Sequence, residues 1–177
     1  MFEELKLLGP TERSIVVQTR KGTSVENLIE VDPGEPAQRR YKLLLERFGQ
    51  NWKERKPAVG VYNCAGHVWA SRRTSILADN VWRIILKEDG YRSLSDTELP
   101  VAGDLVLYVD EKNGQYLHVG MIMEMSDGVS PESPKIPKVL SKLNSAFGEV
   151  VHNERDVPYG KQGISARVEY WTDRPKT

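Results

Sequence analysis

The sequence predicts a single α+β domain, and three observations carry that reading. The chain has 177 residues, a length that one hydrophobic core commonly serves. Between residues 35 and 90 apolar side chains recur at three- and four-residue intervals, the period of a helix with one buried face. From Leu105 onward the period shortens to two, in short runs parted by Asn-Gly, Gly and Pro, which is the pattern of antiparallel strands. Helices come first and a meander follows, with no internal repeat and no linker to set off a second domain.

Taken in order, Ser14 to Thr19 (SIVVQT) reads as a short strand, and Val25 to Val31 (VENLIEV) fits helix or strand. From Glu35 to about Trp52 the stripe Ala37, Tyr41, Leu44, Leu45 and Phe48 predicts an amphipathic helix with Pro36 in its first turn. Asn51 to Lys56 (NWKERK), ending at Pro57, is expected to leave that helix as a loop. A second helical pattern starts at Ala65 with Val68, Trp69, Ile76, Leu77, Val81, Trp82, Ile85 and Leu86. Arg72 to Ser75 is its point of interruption and Asp89-Gly90 its end. Leu105 to Val109 and Tyr116 to Met125, with Asn113-Gly114 at the tip between them, predict a β-hairpin. Gly128 to Pro137 carries three prolines and reads as a loop. Lys138 to Leu143, Glu149 to His152 and Ala166 to Trp171 complete the strands.

Charge and composition exclude several functions. Lys plus Arg and Asp plus Glu both number 25, so no net field holds a polyanion, and nucleic acid is not an expected partner. No apolar run approaches the roughly 20 residues of a membrane span. The N-terminus MFEELKLLGPTERS lacks the basic, apolar and small-residue regions of a signal peptide, which predicts a cytoplasmic protein unless export is non-classical. One cysteine, Cys64, excludes an internal disulfide and a multi-thiolate metal site. Cys64-x-x-His67 is half of a metal site with no second half at the usual spacing, and phosphate-loop and dinucleotide fingerprints are absent. Neither a metal nor a cofactor is expected.

The chemistry centres on Cys64. Asn63 suits an N-cap, which puts the sulfur in the first turn of a helix, where backbone N–H groups favour a thiolate. A lone cysteine is otherwise more often a small buried hydrophobe. A cysteine nucleophile needs a base, and only His67, His118 and His152 are available. His67 shares the helix and can lean back toward the sulfur, though such neighbours are often solvent-facing. His118 interrupts an apolar strand, where an imidazole is often a satisfied core group. Tyr62 can offer its hydroxyl to a developing oxyanion beside the Cys64 N–H, or be a half-buried aromatic. Asp104 is expected to close a turn, and Glu111, Glu124 and Glu154 to be solvated.

Together, Asn63-Cys64-Ala65-Gly66 opening a helix, Gly103-Asp104-Leu105-Val106-Leu107-Tyr108, and His118-Val119-Gly120-Met121-Ile122 resemble the NlpC-like and CHAP-type papain-like amidases and peptidases. The likeness covers about half the chain, from Tyr62 to His152. Asn63 stands where NlpC-like members usually carry Asp. The resemblance implies a papain-like core over 58–177, its Cys-bearing helix packed on an antiparallel sheet, after a family-specific region over 1–57 of the same domain. It implies Cys64 as nucleophile, His118 as base and a third polar residue that orients the base. His152 is preferred for that third place, with Ser141 as the alternative and Asn144 also a candidate. The expected function is a thiol-dependent hydrolase of an amide bond in a peptide-like, often cell-wall-derived substrate. A non-catalytic binding module on the same fold and a thiol redox sensor are the alternatives.

Overall fold

The computed structural model describes residues 15–28, 34–76, 79–128, 130, 132–158 and 165–176. Ser14, Ile29 to Val31 and Leu77 lie outside them, as do the side chains of Val81 and Trp82. Of the first strand expected, only an isolated bridge between Gln18 and Ser24 forms. The next segment supplies β1 (Asn27–Leu28), and α1 runs over Gly34–Phe48. After a single 3₁₀ turn comes β2 (Trp52–Lys56), then α2 (Cys64–Trp69), β3 (Ser75–Ile76) and α3 (Asp79–Glu88). Six strands follow, the first five being β4 (Arg92–Ser93), β5 (Leu105–Asp110), β6 (Tyr116–Ser126), β7 (Ile136–Ser141) and β8 (Glu149–Asn153). The last is β9 (Ala166–Thr172).

Seven strands make one antiparallel sheet in the order β2-β8-β7-β6-β5-β9-β4, while β1 pairs β3 separately. The fold class is α+β, as the patterning predicts. Among the described residues no helix is long and apolar enough to cross a membrane.

One reading needs correcting. Residues 52–56 form an edge strand, not a loop. Only Trp52 points inward, stacked 4.3 Å from the Phe48 ring, and the four charged residues after it are exposed. A strand with one buried anchor and a charged remainder lacks apolar alternation, and such charge protects an edge from pairing with another chain. Residues before Pro57 thus supply an edge of the sheet, and Tyr41, Phe48 and Trp52 pack with Leu143, Phe147 and Val150.

The sheet is covered on both sides. Alternation along β5 sends Leu105, Leu107 and Val109 into a cluster with Cys64, Ala65, Ile85 and Val119, and Val106 and Tyr108 into another with Ile122 and Val139. The second helical pattern breaks as foreseen: Ser71 and Arg72 have φ of 49° and 66°, and the chain reverses between α2 and β3. At Gly66 an added Cβ would lie 1.7 Å from the Thr74 carbonyl oxygen, so only glycine lets the returning chain lie against α2.

Candidate active site

Asn63 caps α2 as expected. Its Oδ1 accepts the Gly66 N–H at 2.9 Å and the Ile76 N–H at 3.2 Å, and its Nδ2 donates to the Ile76 carbonyl at 2.9 Å, which ties the helix start to β3. Cys64 follows as the first helical residue, buried, with α2 lying against β6. The register explains how α2 reaches that strand. Among the described residues β7 covers β6 only from Gly120 onward, where Gly120 pairs with Ser141. Beyond that point Val119 packs with Cys64 in one buried cluster, and its backbone N–H, like those of Ala65 and Cys64, pulls the thiol pKa down. The Val119 amide is the one that joins it to His118, so the nucleophile candidate lies beside the backbone of the base candidate.

The sulfur is nonetheless a thiol. Burial pushes its pKa up to about 11, against the three N–H groups and the more distant Lys142 charge, which all lower it. The sequence predicts a thiolate here, and the structure corrects that. A six-residue helix offers little dipole, and removal from water outweighs it. His118 is fully buried, and its ring centroid lies 5.5 Å from that of Tyr108, its partner across the ladder. Burial holds its pKa well below 6.5, with His152 and His67 adding like-charge repulsion. Cysteine and histidine are both neutral at rest.

Residues flanking α2 take part in a buried polar network. Glu149, wholly inaccessible at the start of β8, accepts from the Tyr62 hydroxyl at 2.6 Å and from Arg72 Nε at 2.5 Å. Burial opposes its charge, yet the Arg72 and Tyr62 hydrogen bonds keep its pKa below the ordinary value. Arg72 Nη2 also donates to His67 Nε2 at 3.1 Å. Lys142, equally inaccessible, donates to the Val59 carbonyl at 2.8 Å and to the Phe147 carbonyl, with Nζ 4.7 Å from the Tyr62 ring centre. The left-handed backbone at Arg72 brings its guanidinium into this network.

Two expectations change accordingly. Tyr62 does not offer its hydroxyl to an oxyanion, because it donates to Glu149 and burial raises its pKa further. His67 is not solvent-facing but buried, its pKa lowered to about 4, first by burial and then by Arg72 against the pull of Glu149. Sequence reasoning missed Arg72, Lys142 and Glu149. The available signal was an ionisable residue interrupting the apolar strands KVLSKL and EVVH.

The two candidates for third residue meet each other. Ser141 Oγ and His152 Nε2 lie 2.7 Å apart, and His152 Nδ1 lies 2.7 Å from the Asn153 carbonyl oxygen. A carbonyl only accepts, so Nδ1 carries the proton and Nε2 accepts from the serine hydroxyl. Burial holds His152 neutral, its pKa lowered to about 4. Asn144 is exposed and caps a turn, accepting the Ala146 N–H at 2.8 Å. Asp104 closes its turn on the Val101 N–H, as expected, and is also gripped by Arg174 at 2.7 Å. Glu154 is not solvated, because the Tyr170 hydroxyl donates to it. An apolar groove of about 1010 Å³, lined by Leu99, Val101, Met125, Ile136 and Tyr170 among others, includes none of Cys64, His118, Ser141, His152 and Tyr62.

No protein-family model, curated protein or solved structure matches this chain.

Proposed function

We propose that the chain is a thiol-dependent hydrolase that cleaves an amide bond of a peptide-like substrate through an acyl-enzyme, on the papain-like arrangement its motifs resemble. The observation that supports this most is the packing of Cys64 on α2 against Val119 of β6, which sets the one thiol beside the backbone of His118. In the reaction the sulfur attacks the carbonyl carbon as its proton passes to His118, and the carbonyl electron pair moves onto oxygen. Collapse breaks the C–N bond, with the His118 proton going to the leaving amine. Water, deprotonated by His118, then releases the acyl group and restores the thiol. Because both groups start neutral, the proton moves with the attack and not before it.

The test is hydrolysis of a panel of fluorogenic peptide amides and cell-wall muropeptides by wild type and Cys64→Ala. Turnover of at least one amide that disappears in the variant supports the proposal. No turnover across the panel, with full binding of a muropeptide by both proteins, favours the second reading, a binding module on the same fold. The observation on that side is the high thiol pKa. The redox-sensor reading fits less well, since oxidation follows thiolate character and exposure and Cys64 has little of either.

A further inference from the structure

His67 is set up as a hydrogen-bond donor with no acceptor among the described residues. Arginine has no acceptor atom, so the contact from Arg72 Nη2 fixes His67 Nε2 as bare. Burial keeps the ring neutral, and its single proton therefore sits on Nδ1. That nitrogen is buried with no hydrogen-bond partner among the described residues. A buried donor left unmatched is destabilising and calls for an explanation. The surroundings of the ring reinforce it. Glu149 grips Arg72 at two nitrogens, Tyr62 braces Glu149 and stacks 6.4 Å from the imidazole, and Arg72 adopts a left-handed backbone to take part. Three residues thus hold one imidazole in one tautomer. His67 is also three residues after Cys64 in α2, a spacing that leaves Cβ atoms roughly 5–6 Å apart.

We propose that the Nδ1–H of His67 donates to the carbonyl oxygen of the substrate as Cys64 attacks it, taking the place the sequence assigned to Tyr62. This rests on the hydrolase reading above. The neutral imidazole acts as an electrophile: it stabilises negative charge on oxygen without giving up its proton, while the thiol proton goes separately to His118. Arg72 and Glu149 are positioning residues that act through the tautomer. The acceptor is a carbonyl flanked by a leaving group, so the site takes acyl donors and has no part in alkylation of the same sulfur.

That difference gives the test. Acetylation of Cys64 by p-nitrophenyl acetate and alkylation by iodoacetamide are followed by intact mass on the full chain. His67→Ala is expected to slow acetylation roughly 100-fold, the scale of losing one oxyanion donor, with alkylation within about twofold. His67→Asn, whose amide N–H takes the place of Nδ1–H, recovers much of the rate. Should the alanine variant fail to fold, His67→Asn and ¹⁵N NMR of the wild-type ring decide. Protonated Nδ1 with bare Nε2 at pH 7 supports the proposal, and the opposite tautomer overturns it. If wild-type Cys64 is acetylated but both variants match it, or if acetylation and alkylation fall together, His67 is not the carbonyl donor and the hydrolase reading stands. If wild-type Cys64 is never acetylated, the hydrolase reading itself fails.

Discussion

Ser141 Oγ and His152 Nε2 lie 2.7 Å apart, each wholly or almost wholly buried, so two residues that the sequence set up as rivals form one unit. Both His152 nitrogens are engaged, one by Ser141 and one by the Asn153 carbonyl. The serine oxygen keeps a lone pair, and Ser141 stands opposite Gly120, two residues from His118 on β6. On the proposed hydrolase reading, Ser141, with His152 behind it, is the group expected to orient His118. Ser141→Ala is expected to lower turnover about tenfold or more, and His152→Ala less, with an added stability loss of about 1–3 kcal/mol from the hydroxyl left without its acceptor. Amide turnover and urea denaturation of both variants check this. A larger activity loss in His152→Ala would return the role to the imidazole.

The thiol itself should be slow. With burial pushing its pKa to about 11, Cys64 is expected to react with iodoacetamide at pH 7 more slowly than free cysteine, and its rate should still be rising at pH 10. Alkylation rates between pH 6 and 10.5 provide the measurement. A plateau reached below pH 8 would mean a thiolate at rest and an ion-pair mechanism instead of the neutral one.

Glu149 anchors the network under the site. Its removal in Glu149→Ala leaves Arg72 and the Tyr62 hydroxyl without their acceptor, and the loss of one partner of a buried ion pair costs about 3–5 kcal/mol. Glu149→Gln keeps an acceptor oxygen for either donor and should lose less. Thermal unfolding of the two variants separates the outcomes, and a Glu149→Ala protein as stable as wild type would contradict the role given to this carboxylate.

Stability should peak between about pH 6.5 and 9. His152 has a folded pKa of about 4 against an ordinary 6.5, and His67 and His118 are lowered in the same sense, so acidification protonates the unfolded chain first. For His152 and His67 the contribution is whole above pH 6.5 and is lost as pH falls toward 4, and His118 acts in the same direction. Glu149, lowered below 4.5, adds a further loss in the acid range. On the basic side Cys64 is raised from 9 to about 11, so its contribution is whole below pH 9 and lost as pH rises to 11. Urea denaturation at pH 5, 7.5 and 10 tests both slopes, and a fold more stable at pH 5 than at 7.5 would contradict the neutral burial of the imidazoles.

What could be read from the sequence was local. The Asn63 cap, the Asn113-Gly114 hairpin, where Gly114 takes φ 70°, and the break at Arg72 each depend on a few adjacent residues. What could not be read depends on partners far along the chain. Glu149 is charged and fully buried only because Tyr62 and Arg72, more than 70 residues earlier and flanking α2 in sequence, donate to it. The raised thiol pKa was hidden for the same reason, since capping chemistry is written beside Cys64 but its burial comes from Leu105, Leu107 and Val119. Strand β2 was missed because a lone inward Trp52 gives no alternation to detect.

The central claim, that Cys64 is an acyl-accepting nucleophile served by His118, is tested most directly by single-turnover acetylation with p-nitrophenyl acetate in wild type and His118→Ala. One acetyl group is expected, mapped by peptide mass to Cys64 in wild type, with a rate lower by roughly 100-fold or more in the variant, the scale of a lost general base. Acetylation elsewhere, or at Cys64 at the same rate without His118, would contradict it.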